Sequence, residues 1–246
     1  MKKTLSLIFF LIVLFIINAF FGNPISKILA NNSANKYIKE NYDNLNLKRD
    51  KVFYNFKDGC YIINLEDKNS IDTKFSLSFN SFGNLKYDNF EDRLFNTYRR
   101  FEYEIYEYGR RLEEKHRFKY KISLSILENE DHRDILKLDD KVDFNNFPLK
   151  VSADVYGFSN KLDFEKTMIV LKRLQKILDK ENLEAFEYSI ILVPLKDRAK
   201  DGKAESWQNA FSIYNIPDDL IRNENISGLK DLYNAQKTSC EKIKDR

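Results

Sequence analysis

The sequence predicts an α+β protein with an amino-terminal transmembrane helix followed by two small α+β units. Three observations lead to this prediction: a long apolar run at the amino terminus, short segments in which apolar and polar residues alternate, and segments with apolar residues three or four positions apart. Alternation is typical of half-buried strands, and the longer steps are typical of amphipathic helices. We expect a transmembrane signal anchor at 1–22, a helix–meander–helix unit at 23–117, and a second, mixed strand and helix unit at 118–246.

The apolar run extends from Leu5 to Phe21 and is interrupted only by Ser6 and Asn18. A cleaved signal peptide has a shorter apolar region, of about 7–15 residues, and a cleavage site between small residues. No convincing site of that kind follows the run, although a cleaved peptide remains the alternative. We therefore expect an uncleaved signal anchor, a single pass through the cell membrane, and a body that faces outside the cytoplasm.

In the first unit, the sequence predicts a helix and then a meander of three or four strands. Gly22 and Pro24 end the apolar helix, and Pro24 suits the first position of a second helix that continues to about residue 42. Alternating apolar residues then predict strands at 52–56, 61–65, 75–79 and 85–87. The turn residues at 57–59 predict a hairpin between the first two of these strands.

The longest helix is predicted at 91–117, where apolar residues form an unbroken stripe in steps of three and four. The stripe consists of Leu94, Tyr98, Phe101, Ile105, Tyr108 and Leu112. We expect these residues to pack on the protein's own sheet, because the strand with Phe75, Leu77 and Phe79 needs an apolar cover. The alternative is a dimer seam.

The second unit reads strand, strand, helix, strand, strand and helix. Strands are predicted at 118–126, 149–155, 186–192 and 207–214, a helix near 162–181, and two short helices near 217–222 and 227–240. The polar stretch from 128 to 146 separates the first two strands. This order again indicates an α+β unit.

Charge and cysteine content narrow the possible partners. Lys and Arg number 41 and Asp and Glu 38, and two of the lysines precede the apolar run, so the body is nearly neutral. Nucleic-acid binding needs a clustered excess of positive charge, so we expect no nucleic-acid partner. Cys60 and Cys240 form no metal-ligand spacing and could remain as thiols or bridge in an oxidising compartment.

No motif assigns a chemistry. His132, Arg133 and Asp134 match the start of a kinase catalytic loop, but position 139 is Asp where that loop needs Asn. The acids at 131–143 lack the glycine that a calcium loop requires, and helix capping explains them better. His116 and His132 are the only histidines, too few for a histidine-based relay or metal site. We therefore assign no catalytic, cofactor-binding or metal-binding residue and expect no cofactor.

Three segments resemble a known family. NPISKILANNSANKYIKENY (Asn23 to Tyr42), VFYNFKDGCY (Val52 to Tyr61) and SIDTKFSLS (Ser70 to Ser78) are similar to the YfjL-like family, over about the first 110 residues. The resemblance implies a single-pass, membrane-anchored, extracytoplasmic protein of low-GC Gram-positive bacteria. It implies no catalytic residues.

The expected function is a membrane-tethered extracytoplasmic binding or interaction module that is not an enzyme, with a protein or peptide as the possible partner. Two alternatives remain open: a cell-envelope hydrolase that uses acidic residues, and a structural dimer built on the helix at 91–117. The ligand and the oligomeric state are left undetermined by the sequence.

Overall fold

The structure, a computed structural model, describes residues 2–127 and 131–244, and the side chains of residues 2–7, 11, 14, 17 and 239–244 lie outside the description. Within the described ranges the chain is α+β, with six α-helices and nine strands in two sheets. It divides into two compact units. The first ends at Tyr98 and also includes Leu136–Asp140; the second contains Arg99–Ile135 and the rest of the chain from Lys141.

The first unit contains two helices and a five-stranded antiparallel sheet. Its elements are α1 (Lys2–Phe21), α2 (Pro24–Asn41), β1 (Leu47–Arg49), β2 (Phe53–Asn55), β3 (Cys60–Asp67), β4 (Lys74–Phe79) and β5 (Leu85–Asp88). The sheet order is β1-β3-β4-β5, and β2 pairs with the other end of β3. The hairpin between β2 and β3 turns at Gly59, whose φ of +64° lies in the left-handed region that favours glycine.

The amino-terminal helix requires a correction. Across the residues that the structure describes, no helix combines the length and the apolar character needed to cross a membrane. The expected transmembrane signal anchor at 1–22, and the single-pass cell-membrane localisation that depended on it, are therefore wrong. The end of α1 contacts the β2–β3 hairpin, with the rings of Phe20 and Phe56 5.7 Å apart.

The second helix begins as the sequence predicts. The side chain of Asn23 accepts a hydrogen bond from the backbone N–H of Ile25 at 2.8 Å, and Pro24 occupies the first turn. This helix, not the helix at 91–117, covers the first sheet. Ala30 and Ala34 are fully buried against the core that contains Leu77. Two alanines one turn apart allow α2 to approach the sheet closely, so α2 supplies the apolar cover that the strand with Phe75, Leu77 and Phe79 needs.

The second unit is a four-stranded mixed sheet with helices. After a 3₁₀ turn (Phe90–Arg93), its elements are α3 (Leu94–Lys115, which begins in the first unit), β6 (Lys121–Ile126), β7 (Val151–Ser159), α4 (Phe164–Lys180), β8 (Ala185–Pro194), β9 (Phe211–Pro217), α5 (Asp218–Arg222) and α6 (Ile226–Lys244). The order is β6-β7-β8-β9, and only β7 and β8 pair in parallel. The last strand begins four residues later than predicted, so Trp207 belongs to the preceding loop.

The apolar stripe of α3 is packed inside the chain. Phe101, Ile105 and Leu112 are almost completely buried. Gly109 on the same helix lies against β6, where an added Cβ would be 3.1 Å from the carbonyl oxygen of Ile122. The main part of α3 therefore packs beside the second sheet.

Candidate binding surface on the second sheet

The two faces of the second sheet differ. Ile190 and Ile213 are paired across β8 and β9 and are fully buried. Phe211 lies on the same face as Ile213, and its ring contacts Phe164 of α4 and Tyr233 of α6. Because side chains alternate between faces along a strand, the intervening residues point away from these helices. We call that side the open face; it carries six half-buried residues, Ser123, Asp154, Tyr156, Phe158, Ile191 and Ser212, and also Ser189 and Val193, which are buried.

Aromatic side chains concentrate at one end of the open face. The ring centroids of Tyr156 and Trp207 are 5.4 Å apart, and those of Tyr156 and Phe158 are 5.7 Å apart. The guanidinium carbon of Arg198 lies 5.3 Å from the Phe158 ring centroid. Trp207 nevertheless remains 56% exposed. A ligand could therefore contact the indole ring without any rearrangement of the protein.

The loop between β8 and β9 positions Arg198 and Trp207. Backbone hydrogen bonds join its two arms: Ala199 donates to Lys203 at 2.8 Å, and Glu205 donates to Asp197 at 2.8 Å. These bonds make the loop an irregular hairpin with a defined path. Trp207 is therefore held over Tyr156 by an ordered backbone.

A polar row crosses the middle of the open face. Ser123, Asp154 and Ser189 are paired across β6, β7 and β8. Burial raises the pKa of the Asp154 carboxyl, and a hydrogen bond with the Ser189 side chain partly opposes this shift. Ser189 also accepts from the backbone N–H of Asn215 at 3.3 Å. Asp154 is thus a partly desolvated acid that can accept a hydrogen bond from a ligand.

His116 belongs to a cluster of charged and polar residues around Glu181, at the carboxyl ends of α3 and α4. Its Nε2 lies 2.7 Å from Glu181 Oε1, Lys115 Nζ donates at 2.8 Å, and the Tyr108 hydroxyl donates at 3.2 Å. Lys115 and then His116 lower the pKa of Glu181. Burial, followed by the charge of Glu181, raises the pKa of Tyr108 to about 12. The cluster joins two helix ends; His132 lies separately in a 3₁₀ turn at His132–Asp134.

The acidic stretch at 131–143 has capping and turn roles, as the sequence indicates. Asp131 and Asp143 each accept from the backbone N–H two residues further along the chain. Asp139 accepts from the Ser70 hydroxyl at 2.9 Å and the Asp72 N–H at 2.8 Å. Among the described residues, no group of three His, Cys, Asp or Glu side chains is arranged to hold a metal ion. Residues 128–130 of the predicted polar stretch lie outside the described ranges.

The segments that resemble the YfjL-like family contain residues whose hydrogen bonds connect elements of the first unit. The Tyr61 hydroxyl donates to the carbonyl oxygen of Asn23 at 3.1 Å and accepts from its N–H at 2.6 Å. The buried carboxylate of Asp72 accepts from the Thr97 hydroxyl at 2.8 Å. These contacts join a helix end to the sheet and a loop to the start of α3, which is a structural role.

The structure describes the side chain of only one of the two cysteines. Cys60 is buried, and its thiol donates to the carbonyl oxygen of Asp58 at 3.2 Å. The side chain of Cys240 lies outside the described residues, so the question of a bridge stays a prediction.

The sequence did not identify the residues of the open face. A signal was present at 151–159, where Asp154, Tyr156 and Phe158 alternate with Ala153 and Val155. Such alternation marks a two-sided strand, but it does not reveal which residues of β8 lie beside it. Two tyrosines of α3 that could suit a ligand, Tyr103 and Tyr106, are 63% and 47% exposed and lie outside the open face.

The fold defines a two-unit α+β chain in which the second unit carries a half-exposed aromatic and polar sheet face. Residues 1–89 match the family model of the YfjL-like, N-terminal domain. This match confirms the resemblance for the amino-terminal part of the chain and says nothing of anchoring or of source. No curated protein and no solved structure matches the chain.

Proposed function

We propose that the protein is a non-enzymatic binding module that takes a protein or peptide segment on the open face. The observation that supports this proposal best is the Tyr156–Trp207 pair, which presents a largely exposed indole on an ordered loop. Aromatic rings give a large contact area at a small cost in side-chain entropy. Trp, Tyr and Arg are also the residue types that dominate binding energy in protein interfaces, and Trp207, Tyr156 and Arg198 lie at one end of this face.

The polar row complements the aromatic end. Asp154, with Ser123 and Ser189 beside it, offers hydrogen-bond acceptors and donors within reach of a bound backbone. A surface with apolar anchors and a few placed polar groups is typical of specific recognition. The nearly neutral body favours such a partner over a nucleic acid.

Two features speak against the alternatives. A glycoside hydrolase uses a pair of carboxyl groups that flank the scissile bond, and the residues paired directly with Asp154 across the sheet are serines. A dimer built on the stripe of α3 would need Phe101, Ile105 and Leu112 at the surface, whereas they are buried within the chain. Both observations favour a binding module.

The experiment is a selection of random linear peptides displayed on phage against the purified full-length chain. Selected peptides should bind the wild type and lose at least roughly tenfold in affinity with Trp207→Ala. Phe82→Ala is the matched control, because Phe82 is an exposed aromatic, 80% exposed, in the first unit. It should change affinity by less than about twofold. Failure to select any peptide, or equal binding by wild type and Trp207→Ala, would contradict the proposal.

A further inference from the structure

One edge of the second sheet is closed by a single side chain. β9 is the last strand of the order β6-β7-β8-β9, so only one of its sides is paired. The carboxamide of Gln236, on α6, accepts from the backbone N–H of Tyr214 at 3.1 Å and donates to the carbonyl oxygen of the same residue at 2.7 Å. A primary amide carries one acceptor and two donors. Gln236 therefore imitates one peptide group of a neighbouring strand.

The backbone groups of Ser212 point to the same edge of β9 as those of Tyr214. Residues two apart in an antiparallel strand direct their N–H and C=O groups to the same side, so Ser212 presents its backbone groups to the edge that Gln236 occupies. A groove of about 620 Å³ lies between β9 and α6. It is lined by Ser212 and Tyr214 on β9, by Ala210 just before the strand, and by Tyr233, Gln236 and Lys237 on the helix. The groove has room for a short extended segment beside the strand.

The opposite edge is closed in a different way. The backbone N–H of Ile122 on β6 donates to Glu113 of α3 at 2.6 Å. The carbonyl oxygen of Ile122 is so near α3 that a Cβ on Gly109 would come within 3.1 Å of it. Helix backbone thus covers the β6 edge, which a side-chain rotation could not open. At the β9 edge, by contrast, the hydrogen bonds to the backbone of Tyr214 come from the side chain of Gln236.

We infer that an extended peptide segment adds to the β9 edge as a fifth strand, and that it displaces the carboxamide of Gln236 from Tyr214. This inference rests on the proposed function and adds the β9 edge to the binding surface, since Ser212 belongs both to the open face and to the groove. Strand addition supplies affinity through backbone hydrogen bonds and specificity through alternate side chains. Of the described residues that line the groove, Lys237 is the charged one, and Tyr214 and Tyr233 supply apolar surface. The segment should therefore carry an apolar side chain and an acidic one.

The test uses the tightest-binding peptide from the phage selection in two synthetic forms, each N-methylated on alternate residues but in opposite registers. Methylation removes the backbone donors of one edge of the peptide. A peptide bound as a strand should lose roughly tenfold or more in one register and be unaffected in the other. Equal affinities of the two methylated forms would overturn strand addition while leaving the proposed function intact. Absence of any bound peptide would overturn the proposed function and this inference with it.

Two variants of the full-length chain test which edge of the second sheet binds the peptide. Gln236→Ala frees the backbone of Tyr214 and should raise the affinity for the unmethylated peptide by roughly tenfold. Glu113→Ala is the matched control, since it removes the side-chain bond at the β6 edge but leaves α3 in place, and it should leave the affinity unchanged. Unchanged affinity of Gln236→Ala would overturn the assignment to β9. Dimerisation of Gln236→Ala in sedimentation without a gain in peptide affinity would assign the edge to a second copy of the chain and also overturn the inference.

Discussion

His116 and Glu181 lie 2.7 Å apart, from the ring Nε2 to the carboxylate Oε1, and join the end of α3 to the residue that follows α4. Lys115 and Tyr108 hydrogen-bond to the same carboxylate. The arrangement resembles a catalytic acid–base pair, yet its contacts are all between helix ends. We therefore interpret it as a structural joint of the second unit.

Replacing His116 with Ala should weaken that joint without affecting binding. The loss of one hydrogen bond to a half-buried carboxylate should cost about 1–2 kcal/mol in the free energy of unfolding. Urea denaturation measures this cost, with Glu114→Ala as an exposed control on the same helix. Peptide affinity should remain within about twofold of the wild type. A large loss of binding by folded His116→Ala or His132→Ala would revive a functional role for the histidines.

Glu181 and Asp154 should respond to pH in opposite directions. The pKa of Glu181 is lower in the folded state, so its stabilising contribution is present above its unfolded pKa and is lost as the pH falls through the folded pKa. The pKa of Asp154 is raised, so its contribution is complete below the unfolded pKa and is lost as the pH rises through the folded pKa. In urea denaturation measured between about pH 3 and 7, Glu181→Gln should therefore lose less stability at acidic pH than the wild type does. Asp154→Asn should instead stabilise the protein at neutral pH, and lower stability of this variant at neutral pH would contradict the assignment.

Phe101 should be one of the most important residues for stability. It is 1% exposed, and Phe101→Ala should cost about 3–5 kcal/mol because it removes a large ring from a packed core. Tyr103→Ala, two residues along the same helix and 63% exposed in the wild type, should change the free energy of unfolding by less than about 0.5 kcal/mol. Sedimentation of the same samples tests the alternative, in which the stripe of α3 forms a dimer seam. A folded Phe101→Ala monomer from a wild-type dimer would favour the dimer seam over the core.

Gly109→Ala should destabilise the protein although alanine is the better helix former. The added Cβ would lie 3.1 Å from the carbonyl oxygen of Ile122 and 3.2 Å from Cγ of Leu124. Relief of this contact requires α3 and β6 to move apart, at a cost of about 1–3 kcal/mol. The higher helix propensity of alanine offsets at most about 1 kcal/mol of this cost. A rise in thermal stability of Gly109→Ala would show that α3 and β6 can separate easily.

Most strands and helices followed from local pattern. The alternation at 61–65 and 75–79 and the apolar steps of α4 lie within regular elements of the observed type, and the strand predicted at 118–126 is observed from Lys121 onwards. The stripe of α3 contains buried core residues, as predicted, but the apolar face of the first sheet packs against α2, because adjacency along the chain does not determine packing. Ala30 and Ala34 gave the relevant signal, since small residues one turn apart allow a helix to approach a sheet closely.

The open face could not be predicted from the sequence because it depends on a long-range register. Asp154 lies beside Ser189 only because α4 returns the chain so that β8 runs parallel to β7. The Tyr156–Trp207 contact similarly depends on the path of the loop before β9. The transmembrane prediction relied on the length and apolar character of the run Leu5 to Phe21, and among the described residues no helix meets the requirements of a membrane span.

Fluorescence of Trp207 tests the central claim most directly, because it is the single tryptophan of the chain and lies at the open face. Titration of the full-length protein with a phage-selected peptide should produce a saturable blue shift and reduced quenching by acrylamide, as the peptide excludes water from the indole. The same titration with Tyr156→Ala should need roughly tenfold more peptide. Binding of the peptide with no change in the emission or quenching of Trp207 would contradict the account.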